Sequence, residues 1–440
     1  MLINGLLKIT QNILRPIYDK SFFLQNIDWL IFINVILVIL SSTFAQSDTI
    51  GYFAIFAIIL TFIKLLTKTE EKLEFSASDK LLLLYFMIVV ISVMGSSLFL
   101  LSLKGFFKTL TYLGFYLSLI NYLKDNTDKI KYLFFAFIMC LCYETIFAFV
   151  QNFGSVDEIS GWQDMSRLNP EEVMTRVYGT LKPYNPNLFG GYLLAIIPTI
   201  LSLPLLLNKN INERFKIFIT SAIGLLTLIA LILTGCRGAY IGLFFELVLL
   251  VSITYKLLEN KFKKAFMAFI GSCIIGLSVI VSSTTALRAR LFSIFAMRND
   301  SSNSFRLNVY NSCIDMFKDN WLLGIGCGNQ NFREIYGLYM KTGFDALSAY
   351  NIYLETAVES GIFALLTFLA FILLILYCAI KYILKGPEKD KIFVLIAFIS
   401  IVGILMHGFV DTVFFRPQIQ FTFWTMVSII RVLTDKRIYD

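Results

Sequence analysis

Histidine is nearly absent. Among 440 residues there is one, His407, which excludes a metal centre built on imidazoles. Charge is sparse too: 15% of residues are charged and 57% are hydrophobic, more apolar than soluble domains usually are. Cysteine occurs seven times but never as a CxxC pair, so no thiolate metal motif and no dithiol redox motif is present. Five of the seven (Cys140, Cys142, Cys236, Cys273 and Cys378) fall in or beside apolar runs and are read as small packing residues. Cys313 and Cys327 share one loop, where a disulfide would need an oxidising space. Residues 1–27 lack an apolar core followed by a small-residue cleavage site. They are therefore read as a cytoplasmic segment lying along the membrane interface rather than as a signal peptide.

Long apolar runs are what the sequence has in abundance. Mean hydropathy is +0.74. The excess lies in about twelve runs, near 28–45, 50–66, 81–101, 105–123, 130–150, 188–207, 215–235, 238–256, 265–285, 355–380, 392–413 and 415–432. Each is close to the roughly 20 residues a helix needs to cross hydrocarbon. Lysines fill every second loop: Lys64, Lys68, Lys72 and Lys80 after the second run, Lys124, Lys129 and Lys131 after the fourth, Lys256, Lys261, Lys263 and Lys264 after the eighth. The positive-inside rule then places both termini in the cytoplasm. The expected fold is an all-α polytopic protein of the plasma (inner) membrane, with about 12 transmembrane helices. A large outward-facing, partly helical loop is expected between helices 9 and 10. The divisions are a cytoplasmic segment 1–27, helices 1–9 over 28–285, the loop over 286–353, helices 10–12 over 354–433 and a tail over 434–440. The formal charge of +8 is explained by these loops, and no nucleic-acid partner is expected.

The two cations are segregated. Of 25 lysines, 20 fall on the cytoplasmic side of this topology, whereas nine of 13 arginines fall outside: Arg167, Arg176, Arg237, Arg288, Arg290, Arg298, Arg306, Arg333 and Arg416. Outer arginines run against the charge rule and need another cause. Some can pair with Asp300, Asp315, Asp319 or Glu334. A guanidinium is also a rigid fork for phosphate or carboxylate oxygens, so at least two are expected to hold an anionic headgroup, a phosphate or diphosphate.

Four stretches focus this reading. "LTGCRGAYIGL", Leu233–Leu243, is a tight turn in which Arg237 stands among apolar residues with Gly235 and Gly238 beside it. The bland alternative for Arg237 is snorkelling to the interface. "YGTLKPYNPNLFGGYLLAIIP", Tyr178–Pro198, offers Asn185 and Asn187, as helix caps first and as sugar ligands second. In "SSNSFRLNVYNSCIDMFKDNWLLGIGCGNQNF", Ser304 reads as an N-cap, and Leu307, Tyr310, Ile314 and Phe317 recur at helical spacing. Its "GIGCGN", Gly324–Asn329, has the wrong spacing and no preceding strand for a dinucleotide fingerprint, and reads as a turn. In "MHGFVDTVFFRPQIQ", His407 and Asp411 share one helix face and are expected to bond to each other.

Together "TGCRGAYIGL", "RLNVYNSCIDMFKDNWLLGIGCGNQNF" and "YNIYLETAVESGIFALL" resemble the O-antigen ligase and Wzy-type polymerase superfamily, in order, over roughly residues 180–370. Within it, "LSAYNIYLE" and "HGFVDTVFFRPQIQ" look like the branch labelled inorganic-carbon (bicarbonate) transporters in cyanobacteria. The resemblance implies a membrane glycosyltransferase moving glycan from a polyprenyl-diphosphate-linked donor to a glycan or lipid acceptor hydroxyl among membrane lipids, with no metal or nucleotide cofactor. Ligases often carry "HNxYL" where this chain has "YNIYL", so Tyr350 stands in the place of the family's histidine. Tyrosine, with an ordinary pKa near 10, is a poor base at neutral pH.

On this reading Arg237 and Arg306, joined by Arg288, grip the diphosphate, and Tyr350 or Glu355 orients or deprotonates the acceptor. Asn185, Asn187, Asn351 and Arg416 are the further substrate-binding candidates. The rival reading is transport of bicarbonate or another small anion. It requires polar groups through the membrane, for which Glu144, Glu246, Lys104 and Lys108 are the candidates.

Overall fold

The computed structural model describes residues 2–69, 71–154 and 174–435. Arg167 and the tail beyond Asp435 lie outside them. Among the described residues all regular structure is helical. Nine helices among the described residues are long and apolar enough to cross a membrane. They are α4 (Ser47–Thr67), α5 (Ala77–Gly95), α7 (Ile130–Phe153), the α8–α9 unit (Pro186–Ile196 and Leu203–Leu206), α10 (Glu213–Leu233), α11 (Arg237–Leu257), α12 (Asn260–Ser283), α16 (Ile352–Lys385) and α17 (Glu388–His407).

The expected twelve would add three more helices packed among these: α3 (Ile27–Ser41), α6 (Phe99–Leu123) and α18 (Pro417–Asp435). Each departs from the apolar pattern for a physical reason. The helix α3 has only 15 residues. Lys104 and Lys108 stand in α6. The helix α18 is buried from Gln418 to Leu433, so neighbouring helices rather than lipid face its polar side chains. At the other extreme, α12 has no buried residue. One core cluster runs through α3–α8, α10, α11 and α16–α18.

Proline shapes the centre of this bundle. Pro198 lacks the N–H a helix requires and crowds the preceding turn. Between α8 and α9 the backbone accordingly winds as a 3-10 segment, Ile197–Ser202.

Lysine-rich loops gather at one end of the bundle. There the buried Lys64 Nζ lies 2.7 Å from Asp28 and 3.1 Å from Glu71, and Glu71 also meets Lys124 at 2.8 Å. Burial alone would raise the Glu71 carboxyl, but the ammonium groups of Lys124 and Lys64 outweigh it and hold it at about 2. Its contribution to stability is therefore present above the ordinary carboxylate range and is lost as pH falls toward 2. The N-terminal helix α1 (Leu2–Lys20) docks here through Gln11, whose amide donates to Leu65 O and Glu71 O. Its apolar row, Leu6, Ile9, Ile13 and Ile17, stays exposed.

The opposite end carries a helical cap between α12 and α16: α13 (Thr285–Phe292), α14 (Ser301–Asp319) and α15 (Asn329–Tyr336). The expected cap residue of α14 is corrected. The helix starts three residues before Ser304, and Asp300 is the N-cap, accepting from Asn303 N at 2.8 Å. The buried face is also different: Val309, Cys313 and Met316 are enclosed while Ile314 is exposed. Cys313 and Cys327 are both free thiols in separate clusters.

The Gly324–Asn329 stretch is more than a turn. α16 breaks at Gly361, where φ is +80°, and the chain around Trp321–Gly326 fills the break. Trp321 O accepts from Ile362 N, Ile325 N donates to Val358 O, and Gly326 N donates to Glu359 O. Ser92 of α5 donates to Glu359 O from the other side. The backbone groups freed by the break are thus satisfied inside the protein, as non-helical chain at membrane depth requires.

Candidate functional site

Most of the residues singled out from sequence meet at the capped end. Asn185 caps α8, accepting from Asn187 N and Leu188 N, which is the role expected of it first. Asn187 then bridges two charged groups. Its carbonyl accepts from Arg176 at 2.6 Å and its amide donates to Asp411 at 3.1 Å. The same Asp411 oxygen lies 3.3 Å from Arg306 Nη2. Arg306 Nε is buried without a hydrogen-bond partner among the described residues, and its guanidinium lies 5.8 Å from the centre of the Tyr350 ring.

Arg237 opens α11 and is buried, with Asp300 at 2.9 Å and the Ser293 hydroxyl at 3.1 Å. Arg290 donates to Gly235 O at 2.8 Å. Arg176, Arg237, Arg290 and Arg306 thus form one cluster, with Asp300 and Asp411 as its carboxylates. Burial and then the fields of Arg176 and Arg237 bring the Arg290 guanidinium down to about 9. Four guanidinium groups against two carboxylates leave an excess of positive charge within this cluster.

Arg288 stands apart from the cluster. It is exposed and donates to the carbonyl of Ser282, and its neighbour Arg290 takes the inward place. The expected bond between His407 and Asp411 is also not formed. His407 lies between Gly191 and Gly238, where an added Cβ on Gly238 would come within 2.4 Å of the ring, and it faces the Cys236 thiol at 3.7 Å. Burial pushes that thiol up, but the facing imidazole outweighs it and the thiol ends below its ordinary value. Asp411 takes Arg306 and Asn187 instead, because the chain leaves the helix after His407.

A cavity of about 510 Å³ opens beside Asp411. Tyr350, Asn185, Asn187, Lys108, Asp48 and Arg416 are in its wall. Tyr350 has the left-handed conformation, φ +51°. Burial, and after it the charge of Asp411, raises its hydroxyl above the ordinary value despite Arg306. Asn351 caps α16 and donates to Phe409 O at 3.0 Å, so it ties two segments together and is not in the cavity wall. Glu355 lies one turn into α16, buried, and accepts from Ala349 N at 3.0 Å.

Residues 222–369 match the model of the O-antigen ligase family.

That match covers 148 residues, from within α10 to within α16. It contains Arg237, Arg290, Asp300, Arg306, Tyr350 and Glu355. Arg176, Asn187 and Asp411 lie beyond it and reach the site through the fold. No curated protein matches the chain. Sequence reasoning had placed Arg176 and Arg290 among the outward arginines without assigning them to the site. It weighed Asp411 only as a partner for His407. Lys108 was set aside for transport, yet it faces this cavity.

Proposed function

We propose that the chain is a membrane glycosyltransferase of the O-antigen ligase or polymerase type, transferring glycan from a polyprenyl diphosphate carrier to an acceptor hydroxyl at the capped end. One observation carries this reading: the Arg306–Asp411–Asn187–Arg176 chain of contacts backs a cavity of about 510 Å³ between membrane helices. In the reaction the acceptor oxygen attacks the anomeric carbon. The bond from that carbon to the diphosphate breaks, and the diphosphate leaves with the electron pair. Lys108 and Arg416 on the cavity wall, with Arg306 behind it, stabilise the departing charge. Asp411, one of the two carboxylates on this wall with Asp48, takes the acceptor's proton. Tyr350, its hydroxyl pKa raised, orients the acceptor by hydrogen bonding.

The test is proteoliposomes supplied with an undecaprenyl-diphosphate-linked sugar and an acceptor. Arg306→Ala removes a desolvated charge partner, about 2–4 kcal/mol, and is expected to slow transfer roughly 30- to 900-fold at normal membrane level. Unchanged transfer in this variant would remove the arginine from the mechanism.

Small-anion transport is the second reading, supported by Lys104 and Lys108 facing the cavities of a membrane bundle and by Glu246, fully buried in α11 against Gly403 with Oε1 unpartnered among the described residues. Bicarbonate uptake lost in Lys108→Met and Glu246→Gln, retained in Arg306→Ala and unaccompanied by any transfer would make that reading the better one.

A further inference from the structure

A second cavity of about 510 Å³ adjoins the first and shares Phe107, Lys108, Tyr112, Asn329 and Phe415 with it. It lies among α5, α6, α16 and the start of α18. Two carboxylates one turn apart on α16, Glu355 and Glu359, face into it, as do two ammonium groups one turn apart on α6, Lys104 and Lys108. The hydrogen bonds recorded for these carboxylates come from backbone N–H groups, not from either ammonium.

Each carboxylate is half satisfied. Ala349 N donates to one oxygen of Glu355 at 3.0 Å and Gly328 N to one oxygen of Glu359 at 2.9 Å. The second oxygen of each has no hydrogen-bond partner among the described residues, although Glu355 is only 2% exposed. Neither second oxygen is among the enclosed atoms without a partner, so each is open to the cavity and free to accept from an occupant that brings donors. The remaining wall supplies aromatic surface from Tyr85, Phe368 and Trp424 and amide groups from Asn329 and Gln420.

This composition selects a ligand. Two carboxylates against two ammonium groups demand no net charge of the occupant. Apolar rings require flat C–H faces, and the polar groups require a rim of hydroxyls. A volume near 510 Å³ is within the usual range for small-molecule sites. We propose that the inner cavity is a saccharide subsite that takes an uncharged hexopyranose or N-acetylhexosamine unit. Glu355 and Glu359 accept from its hydroxyls, Lys104 and Gln420 donate to its oxygens, and Trp424 covers one ring face. The proposal rests on the transferase reading, since the shared wall at Lys108 and Asn329 sets the bound sugar next to the outer cavity. The sugar comes either from the acceptor or from the glycan on the carrier.

The test uses the full chain in nanodiscs, with N-acetylglucosamine and glucose tetrasaccharides as probes by isothermal titration and undecaprenyl diphosphate as a separate probe. Glu359→Gln keeps an oxygen for Gly328 N, removes the charge and turns the free acceptor into an amide donor. It is expected to weaken saccharide binding at least tenfold and to leave undecaprenyl diphosphate binding unchanged, and Trp424→Leu should do the same. Arg306→Lys should do the reverse. Saccharide binding that is strengthened by prior undecaprenyl diphosphate assigns the subsite to the acceptor, and competition between the two assigns it to the donor glycan.

Saccharide binding indifferent to both Glu359→Gln and Trp424→Leu would overturn the proposal, as would no binding of either tetrasaccharide. Saccharide binding without any undecaprenyl diphosphate binding would leave the subsite standing and defeat the transferase reading alone.

Discussion

At the scale of the residue, the decisive position is Tyr350. Its backbone is left-handed, φ +51°, a conformation that non-glycine residues adopt uncommonly and that asparagine, aspartate and histidine tolerate best. Its hydroxyl pKa is raised by burial, so even less of the basic phenolate is present at neutral pH than in free tyrosine. On the proposed transferase reading catalysis leans on the cations, and Tyr350→Phe is expected to be mild. Loss of one hydrogen bond costs about 1 kcal/mol, roughly a fivefold fall in transfer. Tyr350→His suits the backbone and restores a group that titrates near neutrality, so transfer should be retained or increased. A pH–rate profile in proteoliposomes distinguishes the cases: Tyr350→His should add an ionisation near pH 6–7 that wild type lacks. A hundredfold loss in Tyr350→Phe would instead make the tyrosine the base. Legibility at this scale was uneven. Arg237 and the capping of Asn185 follow from turn chemistry in the sequence. The exchange of Arg288 for Arg290 does not, because two residues on a helix point to opposite sides and a short helix such as α13 has no apolar stripe to say which side is inward.

At the scale of the element, α16 is two helices meeting at Gly361. From the sequence, the apolar run after Gly361 declared a membrane helix, and the break inside it was hidden. A single glycine is compatible with a continuous helix, and only the partner chain at Trp321–Gly326 makes the break stable. The glycines of "GIGCGN" show the same thing from the other side. Gly324, Gly326 and Gly328 all have positive φ, and Gly326 sits against Ser96 and Ser102. Their spacing was read as a local turn, but the requirement comes from contacts far away in sequence. Gly361→Ala tests this. The positive φ alone costs about 1–3 kcal/mol for a residue with a side chain, and an added Cβ would meet Leu322 O at 2.2 Å. The expected result is a lower melting temperature in detergent and less folded protein in the membrane. Gly224→Ala is the control, since nothing lies within 4 Å of a Cβ there; it should be neutral. An equal, small effect from both changes would mean that the break at Gly361 is not required.

At the scale of the whole molecule, the two ends of the bundle are chemically distinct. One gathers lysines that neutralise Asp28 and Glu71. The other gathers arginines, two cavities and the helical cap. That division was legible in the sequence because loop charge obeys a membrane rule that does not depend on packing. The full span count was less legible, because α18 is enclosed by its neighbours and no longer has to look apolar. If the lysine-rich end faces the cytoplasm, the site opens on the far side of the membrane. An impermeant maleimide applied to intact cells should then modify Ser302→Cys, exposed on α14, and leave Lys209→Cys, exposed between α9 and α10, unmodified until the membrane is permeabilised. Both positions have exposed side chains, so a difference between them reports sidedness rather than burial. An odd number of spans between the two, as α10–α12 provide, is what places them on opposite faces. Modification of Lys209→Cys in intact cells would invert or break this arrangement, and would move the proposed site to the cytoplasmic face.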